Sequence, residues 1–201
     1  KIKSPEYFVF EKRNFNKIEL NKSIKRKKIK FPIVVKPTNE GSSLGVRICE
    51  NIQDLNKSTK FLFNKYSELI FEPFIEGQEI QVAIINGSSL GVIELQPKRK
   101  FYDYKAKYSK AAKTKHIMPA NLKRYKYNEA LKIAKKAHNA LGCRGITRSD
   151  FKFFNNQFYL LEINTQPGMT SLSLVPEIAN YKGISFRNLV KKILLNASLN
   201  R

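Results

Sequence analysis

The chain has 201 residues, 42% hydrophobic and 27% charged, the balance of a globular protein and not of a disordered one. Its only cysteines, Cys49 and Cys143, exclude a disulfide framework, no apolar run approaches the roughly 20 residues of a membrane-spanning helix, and the opening KIKSPEYFVF lacks a secretory apolar stretch. Lys and Arg number 38 against 16 acids, a net charge of +22, but outside Lys22–Lys30 (KSIKRKKIK) the cations are scattered. A solvated surface is therefore preferred to a nucleic-acid stripe, and a soluble cytoplasmic protein is expected, with neither nucleic acid nor membrane as partner.

Short β-type runs dominate the first half: Tyr7–Phe10, Ile33–Lys36, Gly45–Cys49, Leu69–Phe74, Ile80–Ile85 and Leu90–Leu95. Asn86-Gly87, between the last two, is a hairpin signal because both residues tolerate positive φ. Ile52, Leu55, Leu62 and Tyr66 suit one amphipathic helix. From Phe101 to Lys115 a polar stretch rich in Tyr and Lys predicts a loop able to close over a reacting site. Ala130, Ile133, Ala134, Ala137 and Leu141 then mark a helical face ended by Gly142, and Phe186, Leu189, Val190, Ile193 and Leu194 mark another. Strands and helices alternate without a regular βαβ repeat, which predicts an α+β fold of mostly antiparallel sheet with flanking helices. Two lobes are expected, 1–95 and 96–201. The opening runs almost directly into a strand, as the later part of a longer protein would.

Three constellations carry chemistry. In Lys36-Pro37-Thr38-Asn39-Glu40-Gly41-Ser42-Ser43-Leu44-Gly45 a strand ends on a lysine before a small, flexible loop. Glycine and serine turn donors toward an anion and lysine adds a point charge, although an ordinary hairpin turn fits nearly as well. In Glu72-Pro73-Phe74-Ile75-Glu76-Gly77-Gln78-Glu79, backbone and flanking carboxylates suit an adenosine, while a strand, a break and a second strand is the plainer reading.

The third is the most specific. Arg148-Ser149-Asp150 and Glu162-Ile163-Asn164 flank Asn155-Asn156 as the two arms of a hairpin. Asp150, Glu162 and Asn164 are hard oxygen donors of the kind Mg²⁺ prefers, and Glu162 and Asn164, two apart on a strand, share a face. For Asp150 to lie opposite Glu162 the loop must hold an odd number of residues, and that register is the expected one. A surface ion pair between Arg148 and Asp150 is the competing explanation. Pro167-Gly168-Met169-Thr170-Ser171-Leu172-Ser173 follows, offering backbone and hydroxyl donors for a carboxylate or oxyanion.

Four blocks, VVKPTNEGSSLGV, FEPFIEGQEIQVAI, FYDYKAKY, and GCRGITRSD with LLEINTQPGMTSLSLVP, resemble in order and spacing the ATP-grasp ligases of the D-alanine–D-alanine ligase family. The resemblance implies the ATP-grasp fold, an expected homodimer, and ligation of two D-alanines by way of an acyl phosphate for peptidoglycan precursor synthesis. ATP would be used with two Mg²⁺ ions, or Mn²⁺. By resemblance Lys36 contacts the nucleotide phosphates, and Glu72, Phe74, Ile75, Glu79, Phe101 and Leu161 line the nucleotide pocket. Asp150, Glu162 and Asn164 match the metal ligands, and Arg148 with the Gly168 backbone matches the oxyanion hole. Ser42 and Tyr108, with Lys107 beside them, match the groups that order the first substrate, and Ser173 with Leu174 the contact to the second alanine's carboxylate. Pro73 departs from the pattern, so that an adenine contact falls to backbone or is lost. The family's N-terminal domain is not found in this chain. The rival readings are a D-alanine–D-lactate or other ATP-grasp carboxylate–amine ligase and, more distantly, a basic nucleic-acid-binding module.

Overall fold

The computed structural model describes residues 1–41, 43–97, 114–170 and 173–198. The chain divides into two compact units, one built on Pro5–Ile75, the other on Glu76–Gln96 and Lys115–Arg201 with Lys1–Ser4. The boundary therefore falls at 75/76 and not at 95. Local sequence shows the Asn86-Gly87 hairpin but not its partner: the strand Gln78–Ile85 pairs along its whole length with Ile146–Phe154, far downstream.

In the first unit β1 (Phe8–Glu11), β2 (Ile33–Pro37), β3 (Arg47–Cys49) and β4 (Glu68–Pro73) form an antiparallel sheet in the order β1-β4-β2-β3. Helices α1 (Lys17–Arg26) and α2 (Ile52–Phe63) supply the rest of its core. Alternation puts Phe8, Phe71, Leu69, Ile33, Val35 and Cys49 into one buried cluster with Leu20, Leu55 and Leu62. Phe71 is fully buried, stacked on Phe8 at 5.1 Å and edge-on to Phe10 at 6.0 Å. Helix α1 has no strong apolar stripe. Asn16 caps it by accepting from the Ile18 N–H at 2.8 Å, and Leu20 anchors it. Lys22, Lys25 and Arg26 of the basic run lie on its exposed positions.

In the second unit β5 (Gln78–Ile85), β6 (Ser88–Gln96), β7 (Lys115–Ile117), β8 (Ile146–Phe154) and β9 (Gln157–Asn164) form an antiparallel sheet in the order β7-β6-β5-β8-β9. Asn86 and Gly87 take the positive φ that their tight turn requires, 47° and 73°. Helix α3 (Arg124–Ala140) lays Ala130 and Ala134 on one sheet face, against Ile80, Val82, Val92, Phe151 and Phe158. Two short helices follow, α4 (Leu174–Tyr181) and α5 (Phe186–Asn196). The fold is thus α+β with antiparallel sheets, as the alternation predicts. Among the described residues no helix is long and apolar enough to cross a membrane.

His138 of α3 is buried, its Nδ1 2.8 Å from Thr147 Oγ1, and burial pushes its pKa below the ordinary value. The unfolded chain therefore takes up the proton first, so this contribution is intact above about pH 6.5 and is lost as pH falls toward the lower native pKa. Urea unfolding at pH 7 and pH 5 should show lower stability at pH 5, with a smaller difference in His138→Gln.

Candidate functional site

In the first unit, Lys36 pairs across the sheet with Ile70, and Glu72 with Val34, which puts both polar side chains on the face away from the aromatic core. Lys36 Nζ lies 2.6 Å from Glu72 Oε1, both side chains mostly buried. The sequence assigned these two to phosphate and adenosine separately; the structure joins them in one ion pair. Phe74 and Ile75 are half-buried just beyond, the Phe74 N–H donating to the Pro32 carbonyl at 2.9 Å. After Lys36 the loop turns through Ser43, at φ 61°, and Gly45, at φ 72°. A Cβ on Gly45 would come within 2.8 Å of the Pro37 ring, so that position needs glycine for space as well as conformation.

The second unit builds its polar face in three rows across β5, β8 and β9. Ala83, Arg148 and Asn164 form one row, Gln81, Asp150 and Glu162 the next, and Glu79, Lys152 and Tyr159 the third. Successive rows on a strand are about 7 Å apart. Asp150 does lie opposite Glu162, but not by way of an odd loop. Asn155 and Asn156, at φ 46° and 62°, make a two-residue turn that pairs Phe154 with Gln157 and Phe151 with Leu160. Continued regularly, that register would set Leu161 against Asp150. Instead the register shifts between Asp150 and Phe151, leaving Leu161 as the extra residue of a β-bulge.

The bulge resolves a conflict of period. Phe158, Leu160, Glu162 and Asn164 are all two apart, so a regular strand would send all four to one face. Beyond the bulge Glu162 and Asn164 face Asp150 and Arg148, while Phe158 stays buried with Phe151 and Leu160 packs beside them.

Arg148 grips Asp150 with both arms, Nε to Oδ1 at 2.7 Å and Nη2 to Oδ2 at 2.9 Å. Both side chains are largely buried. The ion pair weighed against metal binding is thus present, as a bidentate contact that fixes the guanidinium plane. Asn164 Nδ2 donates to Asp150 Oδ2 at 3.3 Å and to Glu162 Oε1 at 3.4 Å, so the three candidate ligands converge. Among the described residues no group of three or more His, Cys, Asp or Glu forms a metal-holding cluster. The set here is two carboxylates and a carboxamide, all able to present oxygen, which fits a hard divalent cation.

Gly168 and Ser173 also come together: a Cβ on Gly168 would meet Ser173 Oγ at 2.9 Å. That hydroxyl accepts from the Thr170 N–H at 3.0 Å and lies 2.9 Å from Thr170 Oγ1, at the N-terminus of α4. Ser42, Phe101, Lys107 and Tyr108 lie outside the described residues. Two members of the polar face went unremarked in the sequence. Lys152 continues the alternation of Arg148 and Asp150, which is a readable signal. Gln81 is buried opposite Asp150, and its Oε1 finds no hydrogen-bond partner among the described residues.

A family model described as "D-ala D-ala ligase C-terminus" matches residues 1–195. The chain is 57% identical over its 201 residues to a D-alanine–D-alanine ligase of Pelagibacter ubique (strain HTCC1062), covering 65% of that protein. A crystal structure of D-alanine–D-alanine ligase from Bacillus anthracis matches with a TM-score of 0.82 at 32% identity, over 97% of this chain and 62% of that one. A structure of D-alanine–D-alanine ligase from Bacillus anthracis complexed with ATP matches with a TM-score of 0.77 at 27% identity, over 97% of this chain and 59% of that one. The chain thus spans less than two thirds of the length of these relatives.

Proposed function

Because the chain belongs to the D-alanine–D-alanine ligase C-terminal family, we propose that the protein containing it joins two D-alanines into D-alanyl-D-alanine with cleavage of ATP to ADP and phosphate, for peptidoglycan precursor synthesis. The observation that carries this reading is the convergence of Asp150, Glu162 and Asn164 beside a guanidinium fixed on Asp150. One D-alanine carboxylate attacks the γ-phosphate to give an acyl phosphate, and the second D-alanine's amine then displaces phosphate from the carbonyl. Phosphoryl transfer asks a protein for positioning and charge neutralisation more than for covalent chemistry.

Asp150, Glu162 and Asn164 would hold Mg²⁺, two ions or their Mn²⁺ equivalents, which when bound neutralise polyphosphate charge. Lys36 binds phosphate oxygens in this reading, and its partner Glu72 keeps the ammonium in place until they arrive. Phe74, Ile75, Glu79 and Leu161 contact the nucleoside. Arg148, its plane set by Asp150, stabilises charge on the transferred group and on the tetrahedral carbonyl, together with the Gly168 N–H. Ser173, with Leu174, holds the second substrate's carboxylate at the start of α4. Ser42, Lys107 and Tyr108 order the first substrate, and the 101–115 segment excludes water from the acyl phosphate. Such an enzyme works in the cytoplasm, where ATP is supplied, and the family resemblance supports a homodimer.

Phosphate release from ATP by the full-length protein, with and without D-alanine, tests the reading. Release is expected to depend on D-alanine and to match dipeptide formed. An equal rate without D-alanine, or release without dipeptide, would overturn it.

A further inference from the structure

We propose that Lys152 is a positioning residue for nucleotide recognition, holding the Glu79 carboxylate where it accepts hydrogen bonds from the ribose hydroxyls. The inference rests on the reading of Glu79 as part of the nucleoside site. Lys152 and Glu79 are direct cross-strand partners on β8 and β5, and Tyr159 of β9 completes their row. Lys152 Nζ lies 3.2 Å from Glu79 Oε2, and each side chain is only 13% exposed. Their row is the neighbour of the Gln81–Asp150–Glu162 row, about 7 Å along the strand. Lys152 thus adjoins both the carboxylate assigned to the nucleoside, across the ladder, and Asp150 of the metal set, two residues along its own strand.

Three physical points favour a working role over a merely structural one. An ion pair this far from water contributes little net stability, because the desolvation of both charges offsets their attraction. An apolar residue at position 152 would serve packing equally well, since Phe151 and Phe153 on the other face already join the core. A buried ammonium 3.2 Å away also holds the carboxylate in one orientation, so that its acceptor oxygens are presented in a fixed direction. Glu72 in the other unit is likewise paired with a lysine, Lys36, although there the lysine is the group assigned to the phosphates.

The test compares ADP with 2′,3′-dideoxyADP, in the presence of Mg²⁺, on the full-length protein. Wild type should bind ADP about tenfold or more tightly than the dideoxy analogue, the worth of a hydrogen bond to a charged group. Lys152→Met should weaken ADP by about tenfold and leave the dideoxy analogue within about twofold, so that the preference disappears. Lys152→Arg should retain it, and Glu79→Gln should lose it as Lys152→Met does. Lys152→Gln, which keeps a donor without charge, gives the same comparison if the methionine variant does not fold. Equal weakening of both nucleotides would mean general charge attraction, and an unchanged preference would mean a structural pair; either overturns the proposal. A wild type that binds ADP without preferring it to the analogue overturns it too. A wild type that binds neither nucleotide removes the nucleotide reading itself and this inference with it.

Discussion

Asp150→Asn in the full-length protein is expected to lower kcat by roughly 10²–10³-fold while changing the Kd for ADP far less. Asparagine keeps the shape and one oxygen but removes the charge on which two functions depend. It takes a hard anionic donor from the cluster with Glu162 and Asn164, and it replaces the bidentate partner of Arg148 with a group that can accept only one of its two bonds. Both losses fall on charge that develops during phosphoryl transfer, so they appear in kcat more than in binding. Steady-state kinetics at saturating Mg²⁺, with a thermal melt to confirm folding, give the answer. Near-normal turnover would remove Asp150 from the site.

Phe71→Ala should destabilise the first unit by about 3–5 kcal/mol, the range for truncating a fully buried phenylalanine. The ring is the meeting point of Phe8, stacked on it, and Phe10, edge-on, and Phe10 passes the contact to Phe15 and Phe63. The sheet on one side and two helices on the other have little freedom to collapse into the space. Urea unfolding followed by far-UV circular dichroism should show the loss. A change below about 1 kcal/mol would mean that the cluster relaxes around the gap, at the low end of what core truncations do.

The strands were legible because their cues are local. Ile33–Pro37 and Gln78–Ile85 announce themselves by β-branched residues, and Asn86-Gly87 by its tolerance of positive φ. Helix α1 was not legible, since it buries little beyond Leu20 and Ser23 and its signal is a cap at Asn16 set in a basic run. The α4 helix opens on a serine whose hydroxyl is turned back to Thr170 and does not cap it. The boundary at 75/76 escaped detection because it depends on the pairing of Gln78–Ile85 with residues nearly 70 positions away. The same limit applied to the candidate site. Residue types named Asp150, Glu162 and Asn164, and two-residue spacing put the last two on one face. Neither could show that Leu161 is the residue left out of the ladder, or that Lys36 and Glu72 meet.

That unpaired leucine also makes the hairpin asymmetric toward changes of length. Strand β9 carries one residue more than an unbroken ladder from the Asn155-Asn156 turn to Glu162 would use. Loss of any one position between Phe158 and Leu161 leaves a straight ladder that still ends with Glu162 against Asp150. Gain of a position there does not restore the pairing: the strand must buckle a second time to keep Glu162 against Asp150, or run straight and set Glu162 against Arg148, one row too far. Natural variation in this arm should therefore run toward shortening, and an added residue should be the rarer and more damaging event.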